Sequence, residues 1–384
     1  MSFTIPIHED HIHYALRCAR HPLKALGGYR KLRHLPGYVW VEITKRCNLR
    51  CRSCEKRYGL GDSESEMPLG LFEKILTRIG PYVSDVNITG VGEPFFHKDA
   101  KKILGMLAAF PNINTELTTN GQLMDEDWLQ QLSRMRCIVA FSVDGTSQES
   151  FSFNRPGADV EKLRWALARA RELELAAPDP NQFLFRRKIN FLVMRETMDE
   201  IPEIVQWASD YNVIDLSLNL MNNWGAPSDF WKEQNPLNYR KELRARIEEA
   251  RELAREKGVN LTAPDVAPEA TPEMEIHENH EAKGILKYFK ADQMTREGYP
   301  RFEDRFCDFP FRTMYFHVNG DASVCCAAQW HPSRLGNLKK RSLPRIWNSL
   351  RSRRVRSGML IGSHTPYCRS CPLPNGLGRG NPRG

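Results

Sequence analysis

The sequence lacks both a long apolar run and a secretory signal. No uninterrupted apolar stretch of about 18 residues, the length that a membrane-spanning helix requires, occurs among its 384 residues. The first residues, MSFTIP, show no basic segment followed by an apolar one, as a signal peptide would. Internal repeats are also absent. We therefore expect a cytoplasmic globular protein with two domains, or one large domain and an appendage.

Acidic residues are missing from two stretches near the ends. Residues 11–36 hold six Lys and Arg, and residues 322–384 hold twelve, in both cases without an acid. The net charge of the whole chain is only +8, from 55 Lys and Arg against 47 Asp and Glu. Because the two basic stretches together carry +18, the rest of the chain is net acidic. Three interpretations of the basic ends remain open: steering of an anionic small-molecule substrate, peripheral contact with an anionic membrane surface, or two solvated faces. Because no RNA-binding module is visible, a nucleic-acid partner is not expected.

Three of the ten cysteines, Cys47, Cys51 and Cys54, form one tight group. Three thiols in a short loop suit an iron–sulfur cluster in which one iron has no protein ligand. A structural zinc ion would usually need a fourth ligand, and no histidine lies between Pro36 and Phe96. Without a secretory signal, this grouping favours metal or cluster binding over disulfides.

A second, sparser cysteine group lies near the C-terminus. Its spacing permits a site with four ligands, and it does not distinguish zinc from a four-cysteine cluster. Cys18 and Cys137 are isolated, and we interpret them as packing residues. The members of the second group are Cys307, Cys325, Cys326, Cys368 and Cys371.

Residues 37–262 alternate short β-rich runs with helical stretches, six times in all. This pattern predicts a parallel sheet with helical crossovers, with too few units for a closed eight-stranded barrel but enough for an open one. Polar residues follow these strands, where ligands bind in parallel α/β folds. Any one of them alone could be a turn former. The predicted strands cover 38–44, 86–89, 115–119, 138–143, 189–194 and 214–220.

The Cys47-x3-Cys51-x2-Cys54 pattern after a first strand resembles the signature of the radical S-adenosylmethionine (SAM) superfamily. The similarity extends over about 37–262, because Gly90–Pro94 resembles the family's glycine-glutamate-proline element and Ser142 with Asp144 its ribose-contacting strand. The resemblance implies an α/β fold, a partial (β/α)6 TIM-type barrel, followed by a small C-terminal cysteine-rich iron–sulfur domain.

The C-terminal part is similar to the SPASM extension of that superfamily. Its opening pattern corresponds to Cys307, Gly320 and Cys325, and the phrases LGN at 335–337 and IWN at 346–348 also fit. The resemblance implies an auxiliary [4Fe–4S] cluster held by Cys307, Cys325, Cys368 and Cys371. Because no cysteine follows Cys371, we expect one auxiliary cluster rather than two.

Roles for the remaining site residues follow from the same resemblance. Cys47, Cys51 and Cys54 would hold a [4Fe–4S] cluster whose open iron binds SAM, and an external electron donor of flavodoxin or ferredoxin type would reduce it. Ser53 stands where the family often has an aromatic residue against adenine. The expected SAM contacts are Gly90, Gly92 and Glu93 for the amino group, Ser142 and Asp144 for the ribose, Tyr58 for the adenine, and Arg155 for the carboxylate.

Two of these assignments have a structural alternative. Arg155 could instead be a solvated loop arginine. Cys326, left over from the auxiliary cluster, is a candidate hydrogen donor in an epimerisation, and its alternative is a buried inert thiol.

The chain divides into four predicted parts: a basic N-terminal helical arm at 1–36, the barrel at 37–262, a linker or insertion at 263–300, and the SPASM-like domain with a flexible tail at 301–384. The expected reaction is hydrogen abstraction from an unactivated C–H, oxidising or epimerising a carbohydrate, cyclitol or related small metabolite. Peptide modification is the first alternative, although the arm is short for a leader-recognition domain. A non-catalytic, zinc-stabilised binding protein is the second.

Overall fold

A computed structural model describes residues 32, 34–58, 64–179, 183–221, 228–266, 307, 309–325, 334–361, 365 and 368. Most of the predicted N-terminal arm and of the 263–300 linker lies outside these residues, as do Cys18, Cys326 and Cys371.

One sheet organises the chain. Its seven barrel strands run parallel, and its three C-terminal strands form two antiparallel pairs. The barrel strands are β1 (Tyr38–Val41), β2 (Asp85–Asn87), β3 (Asn114–Thr119), β4 (Cys137–Val143), β5 (Phe185–Val193), β6 (Asp215–Leu220) and β7 (Leu261–Thr262). The C-terminal strands are β8 (Thr313–Phe316), β9 (Asp321–Ser323) and β10 (Gly336–Asn337). The spatial order is β10-β9-β8-β1-β2-β3-β4-β5-β6-β7.

Helices follow the barrel strands as the alternation predicts, and the α/β fold class is confirmed. Two short helices, α4 and α7, and the two-residue strand β7 were not predicted, and β5 begins four residues early. The helices are α1 (Leu69–Ile79), α2 (Ala100–Ala108), α3 (Glu126–Ser133), α4 (Gln148–Asn154), α5 (Val160–Leu175), α6 (Ile201–Asp210), α7 (Ser228–Gln234), α8 (Arg240–Lys257), α9 (Phe309–Arg312), α10 (Leu343–Trp347) and α11 (Leu350–Ile361).

The two faces of the sheet differ in chemistry because successive side chains of a strand point to opposite sides. Residues such as Val41 and Phe141 are fully buried in one apolar core with the helices. Many of the alternate residues are polar and half-buried, and three of them, Ser142, Asn190 and Ser217, lie side by side in register on β4, β5 and β6. We call the side of the sheet that carries these alternate residues the polar face.

The C-terminal strands continue the barrel sheet. β8 pairs with β1 in parallel, and the Glu42 N–H donates to the Phe316 carbonyl at 2.8 Å. The Trp347 indole N–H donates to the His34 carbonyl at 2.9 Å, which ties α10 to the segment before β1. The predicted barrel and the predicted C-terminal unit therefore share one sheet, while the proposed boundary near residue 300 stays a prediction.

Among the helices described, none combines the length and the apolar character needed to cross a membrane.

Candidate active site

The three grouped cysteines lie in one loop that follows β1. Leu49, inside the loop, is buried in the main core and anchors it. The Cys54 N–H donates to the Cys51 carbonyl at 3.1 Å, and the Arg57 N–H donates to the Cys54 carbonyl at 3.0 Å, so the loop closes into a short 3-10 helix at Glu55–Tyr58. All three thiols are half-buried. The loop thus presents three sulfur donors at the carboxyl end of the parallel strands.

The electrostatic surroundings of these thiols suit a metal cluster. Burial raises the pKa of the Cys51 thiol to about 12, while the nearby Arg155 guanidinium acts in the opposite direction. Burial also raises the pKa of Cys47, and the Leu49 N–H and the Lys56 ammonium oppose that shift. Thiolate is the form that binds metal, so cluster binding would release protons from this loop. Arg155 and Lys56 would then offset the negative charge of the thiolates.

The described cysteines do not form a ready-made site for a single metal ion. No group of three or more His, Cys, Asp or Glu side chains within the described ranges could hold a single metal ion. A structural zinc ion needs four ligand atoms within about 2.3 Å of one point. A four-iron cluster spreads its ligands over separate irons and does not require such convergence. In donor chemistry, three thiols in one short loop fit a four-iron cluster that leaves one iron without a protein ligand.

Asn154, the last residue of α4, fastens the cysteine loop to the end of β4. Its carbonyl accepts from the Arg52 N–H at 2.7 Å, and its Oδ1 accepts from the Ser53 N–H at 2.9 Å. Its Nδ2 donates to Ser53 Oγ at 2.9 Å and to Asp144 Oδ2 at 2.5 Å. The side chain is completely buried. We call this set of four hydrogen bonds the Asn154 clamp, and the sequence reasoning missed it.

Asp144 and Arg155 form a buried ion pair beside the clamp. Arg155 Nε and Nη2 donate to the two carboxylate oxygens at 2.6 and 2.9 Å, the two-pronged geometry that guanidinium and carboxylate favour. Arg155 is only 8% exposed, so the alternative of a solvated loop arginine is wrong. The predicted contacts of Asp144 with ribose and of Arg155 with the SAM carboxylate stay predictions, and in this structure the two side chains bind each other.

The glycine-rich stretch after β2 packs directly on the chain that leads into the cysteine loop. A Cβ on Gly92 would lie 2.4 Å from the Arg46 carbonyl oxygen, and one on Gly90 would lie 2.4 Å from Glu42 Cγ. The Glu93 N–H donates to the Arg46 carbonyl at 2.8 Å. Glycine at position 92 therefore lets two backbone segments touch, and glycine at position 90 leaves room for the Glu42 side chain.

Glu93 is buried behind the cysteine loop with its carboxylate fully engaged. Oε1 accepts from Thr119 Oγ1 at 2.8 Å and from the Phe95 N–H at 3.3 Å, and Oε2 accepts from the Asn120 N–H at 2.7 Å. Asn120 Nδ2 in turn lies 3.8 Å from Cys47 Sγ. Burial outweighs these hydrogen bonds and raises the pKa of Glu93 to about 7.

This raised pKa predicts a pH-dependent stability. The folded protein holds the Glu93 proton more tightly than the unfolded chain, so the stabilisation is complete below pH 4.5 and is lost as the pH rises to about 7. The difference between the pKa of Glu93 in the folded and unfolded states corresponds to about 3 kcal/mol of unfolding free energy. We expect Glu93→Gln to lose this contribution to the slope of unfolding free energy against pH. Denaturant unfolding at several pH values between 4.5 and 7 measures that slope. A slope identical to that of the parent would show that another group titrates.

Ser142 and Tyr58 lie on different elements, β4 and the 3-10 helix that ends the cysteine loop. Ser142 is on the polar face of β4, two residues before Asp144. The Tyr58 hydroxyl donates to the Arg52 carbonyl at 2.6 Å, and its ring packs against a small apolar cluster formed by Met194, Met221 and Trp231. That cluster covers the ends of β5 and β6. The structure thus places Tyr58 against the cysteine loop, and the contacts of both residues with SAM stay predictions.

The C-terminal cysteines that the structure describes are Cys307, Cys325 and Cys368. Each is half-buried, and Cys325 and Cys368 pack against the main core. Cys325 follows β9 directly after a buried Val324. The predicted fourth ligand, Cys371, and the predicted hydrogen donor, Cys326, lie outside the described residues, so the ligand set of the auxiliary cluster remains a prediction.

Sequence reasoning also missed a buried acid–histidine contact between β1 and the C-terminal strands. Glu42 is 1% exposed, its Oε1 accepts from the Val91 N–H at 3.3 Å, and its second oxygen, Oε2, lies toward His317. His317 Nδ1 lies 3.9 Å from that oxygen. Burial raises the pKa of Glu42, and burial together with Arg334 lowers the pKa of His317 to about 3. A glutamate in an otherwise apolar strand run was the one signal that could have indicated this contact.

Family models match both halves of this architecture. The radical SAM superfamily model matches residues 41–208, and SPASM, an iron–sulfur cluster-binding domain, matches residues 307–372. The fold and the cysteine loop thus belong to an enzyme class that uses SAM together with [4Fe–4S] clusters. The chain is a member of the radical SAM superfamily with a C-terminal SPASM extension, and the predicted family, fold class and cofactors are confirmed.

Two curated relatives show the range of the superfamily. The chain is 28% identical over 238 residues to a GTP 3',8-cyclase of Syntrophomonas wolfei, covering 59% of this chain and 67% of the relative. It is 27% identical over 185 residues to a tungsten-containing aldehyde ferredoxin oxidoreductase cofactor-modifying protein of Pyrococcus furiosus, covering 46% of this chain and 49% of the relative. The match to the second relative spans about half of its length.

Solved structures share the fold over most of the chain. SuiB of Streptococcus suis, bound to S-adenosylmethionine, superposes with a TM-score of 0.60 at 18% identity, covering 88% of this chain and 71% of SuiB. The enzyme anSMEcpe, with bound AdoMet and the Cp18Cys peptide, has a TM-score of 0.55 at 18% identity, covering 82% of this chain and 81% of its own. Because these superpositions cover most of the chain, the similarity in fold includes residues beyond the barrel.

Proposed function

We propose that this radical SAM enzyme takes hydrogen from an unactivated C–H of a hydroxylated small metabolite, a carbohydrate or cyclitol, and oxidises or epimerises it. The observation that carries the proposal is the polar face of the sheet, on the strand β4 that leads to Asp144. Ser142, Asn190 and Ser217 are half-buried and in register on three neighbouring strands. Hydroxyl and amide groups in this arrangement can exchange hydrogen bonds with the hydroxyls of such a substrate.

The site residues have separate tasks in this proposal. Cys47, Cys51 and Cys54 would hold the cluster, which with SAM supplies a 5′-deoxyadenosyl radical able to take hydrogen from an unactivated C–H. Gly92 lets the glycine-rich stretch lie against the backbone before Cys47, where Glu93 is anchored, and Gly90 makes room for the Glu42 side chain. Asp144, held by Arg155 and the Asn154 clamp, stands at the end of β4 for the ribose hydroxyls.

Residues near the ends of β5 and β6 would close the site from the other side. Met194, Met221 and Trp231 are almost completely buried, and Tyr58 packs on them. Arg52 lies over the Phe153 ring at 4.7 Å, and Phe153 stacks on Phe230 at 6.2 Å. This apolar wall would exclude water from a reactive radical, leaving the polar face as the side that binds the substrate.

Peptide modification is the second candidate, and a specific observation supports it. SuiB was also solved bound to its precursor peptide SuiA, with a TM-score of 0.60 to this chain, and anSMEcpe was solved with a bound peptide. Both similarities lie below 20% identity and concern the fold. The two candidates share the cysteine loop and the SAM chemistry, and they differ in what occupies the polar face.

Anaerobic purification followed by iron analysis and SAM turnover tests the proposal. We expect about eight irons per chain, from two four-iron clusters, and 5′-deoxyadenosine after addition of SAM and dithionite. Zinc in place of iron, or no deoxyadenosine, would contradict the enzymatic function. Carbon-bound deuterium in labelled cyclitols or sugars should appear in deoxyadenosine, and transfer only from labelled peptides would favour the second candidate.

A further inference from the structure

The C-terminal unit carries an exposed surface of one charge sign. Six exposed side chains within residues 339–354 are basic, and none forms an ion pair with a carboxylate among the described residues. The segment 322–384 contains no acid that could neutralise them. We call these six residues the basic face: Lys339, Lys340, Arg341, Arg345, Arg351 and Arg354.

Elsewhere on the described surface, cations are mixed with anions. On α8, Arg246 pairs with Asp199 and Glu249, and Arg251 pairs with Glu248 and Asp265. The exposed basic residues of that helix alternate with glutamates. The basic face therefore differs from the solvated helix α8, which carries charges of both signs. Its cations repel one another, and no ion pair with a described carboxylate offsets that repulsion.

Packing places the 339–341 turn, α10 and the start of α11 around one short hairpin, formed by β9 and β10. Ile346 of α10 lies against Gly336 of β10, where an added Cβ would be 3.0 Å from its Cγ1. The Arg341 N–H donates to the Asn337 carbonyl at 3.0 Å, so the turn with Lys339 and Lys340 folds back on β10. Arg351 Nη1 donates to the Arg334 carbonyl at 2.7 Å, which places the start of α11 at the other end of β10.

The basic face borders the strand that leads to Cys325. Arg334 Nη1 lies 3.5 Å from Ser323 Oγ, and Arg334 Nε lies 3.6 Å from Asp321 Oδ2. Ser323 ends β9, two residues before Cys325. A partner seated on the basic face would thus approach the segment that holds a predicted auxiliary-cluster ligand.

The chemistry of the face selects among anionic partners. Insertion into a membrane surface needs apolar side chains beside the charges, and Leu350 is the one large exposed apolar residue described between 334 and 361. Single-stranded nucleic acids are bound by stacking on aromatic rings, and the aromatic residue of this span, Trp347, is only 1% exposed. A polar, positively charged surface instead suits an acidic protein.

We propose that the basic face docks an acidic one-electron carrier protein of the flavodoxin or ferredoxin type. The inference rests on the proposed function, because the SAM-binding cluster needs one electron for each cleavage and the chain's own side chains supply none. The carrier is oxidised by one electron, and the enzyme's iron–sulfur centre is reduced by one. No covalent bond changes in this step.

Charge reversal tests the docking surface. The variant Lys339→Glu/Lys340→Glu/Arg341→Glu should form deoxyadenosine at the parental rate with dithionite, because its changes are exposed. With limiting reduced flavodoxin at low salt, its rate should fall about 10-fold or more, because electrostatic steering is lost. The matched control is Lys241→Glu/Arg244→Glu/Arg255→Glu on α8, which has the same charge change and should keep the parental flavodoxin rate.

Several outcomes would overturn the inference. These are an unchanged flavodoxin rate in the first variant, an equal loss with dithionite, or an equal loss in the control. Loss of binding to phosphatidylglycerol vesicles or to a single-stranded RNA, without loss of the flavodoxin rate, would assign the face to another partner. If the parent forms no deoxyadenosine even with dithionite, the proposed function has failed, and calorimetric titration with oxidised flavodoxin still decides whether the face binds it.

Discussion

Replacement of Cys47, Cys51 or Cys54 by Ala should abolish SAM cleavage. The three thiols lie in one loop and are half-buried, and each would supply one of the three protein ligands of the SAM-binding cluster. We expect each variant to lose about four irons, the content of one cluster, and to form no deoxyadenosine above background. Iron and sulfide analysis of anaerobically purified protein, with chromatographic detection of deoxyadenosine, measures both effects.

Cys137→Ala is the matched control for this experiment. Cys137 opens β4 and is 1% exposed, with its Sγ directed to the Leu132 carbonyl at 3.6 Å. Its removal leaves a small cavity and should cost about 1 kcal/mol of stability. Iron content and cleavage should stay parental. Cleavage that survives in a Cys47, Cys51 or Cys54 variant would show that the loop is not the SAM-cleaving centre.

Asn154→Ala should weaken SAM binding by about 10- to 100-fold. The substitution removes three side-chain hydrogen bonds of the clamp, one of which goes to the Asp144 carboxylate. A buried hydrogen bond to a charged group is worth about 1.5–3 kcal/mol, and 1.4 kcal/mol corresponds to tenfold in affinity. The cysteine loop and Asp144 would then move independently, although neither side chain has been changed.

Binding and spectroscopy distinguish this positioning effect from a general loss of stability. The dissociation constant of SAM and the electron paramagnetic resonance spectrum of the reduced cluster, with and without SAM, should both change. Ser53→Ala removes only one contact of the clamp and should show a smaller change in the same direction. A parental SAM affinity in Asn154→Ala would refute a role for Asn154 in positioning the loop against β4.

The strands and helices of the barrel could be predicted because their hydrophobic periodicity appears within short, continuous segments of sequence. The strands β1, β3, β4 and β6 lie within a few residues of their expected positions, and their buried faces follow the alternation. Elements of seven residues or fewer, such as α4 and α7, contain too few turns to give a periodic signal. They carry residues of the site nonetheless.

Contacts of the site were less predictable, since they join distant parts of the chain. Asn154 and Ser53 are 101 residues apart, and nothing local marks the asparagine as a partner of the cysteine loop. Arg155 could be assigned either to solvent or to a carboxylate until its burial was known. The contact between Glu42 and His317 depends on the pairing of β1 with β8, which the sequence pattern of the barrel does not contain.

The pairing of β1 with β8 also limits how this protein can be divided. β1 is an interior strand, with β2 on one side and β8 on the other. A fragment that ends before residue 307 would lose β8 and expose the edge of β1 that β8 now covers, directly before the cysteine loop. Exposed strand edges recruit further strands and promote aggregation. The radical-generating half is therefore best produced with its C-terminal unit attached. The activity of an isolated barrel fragment would reflect its self-association as well as its catalysis.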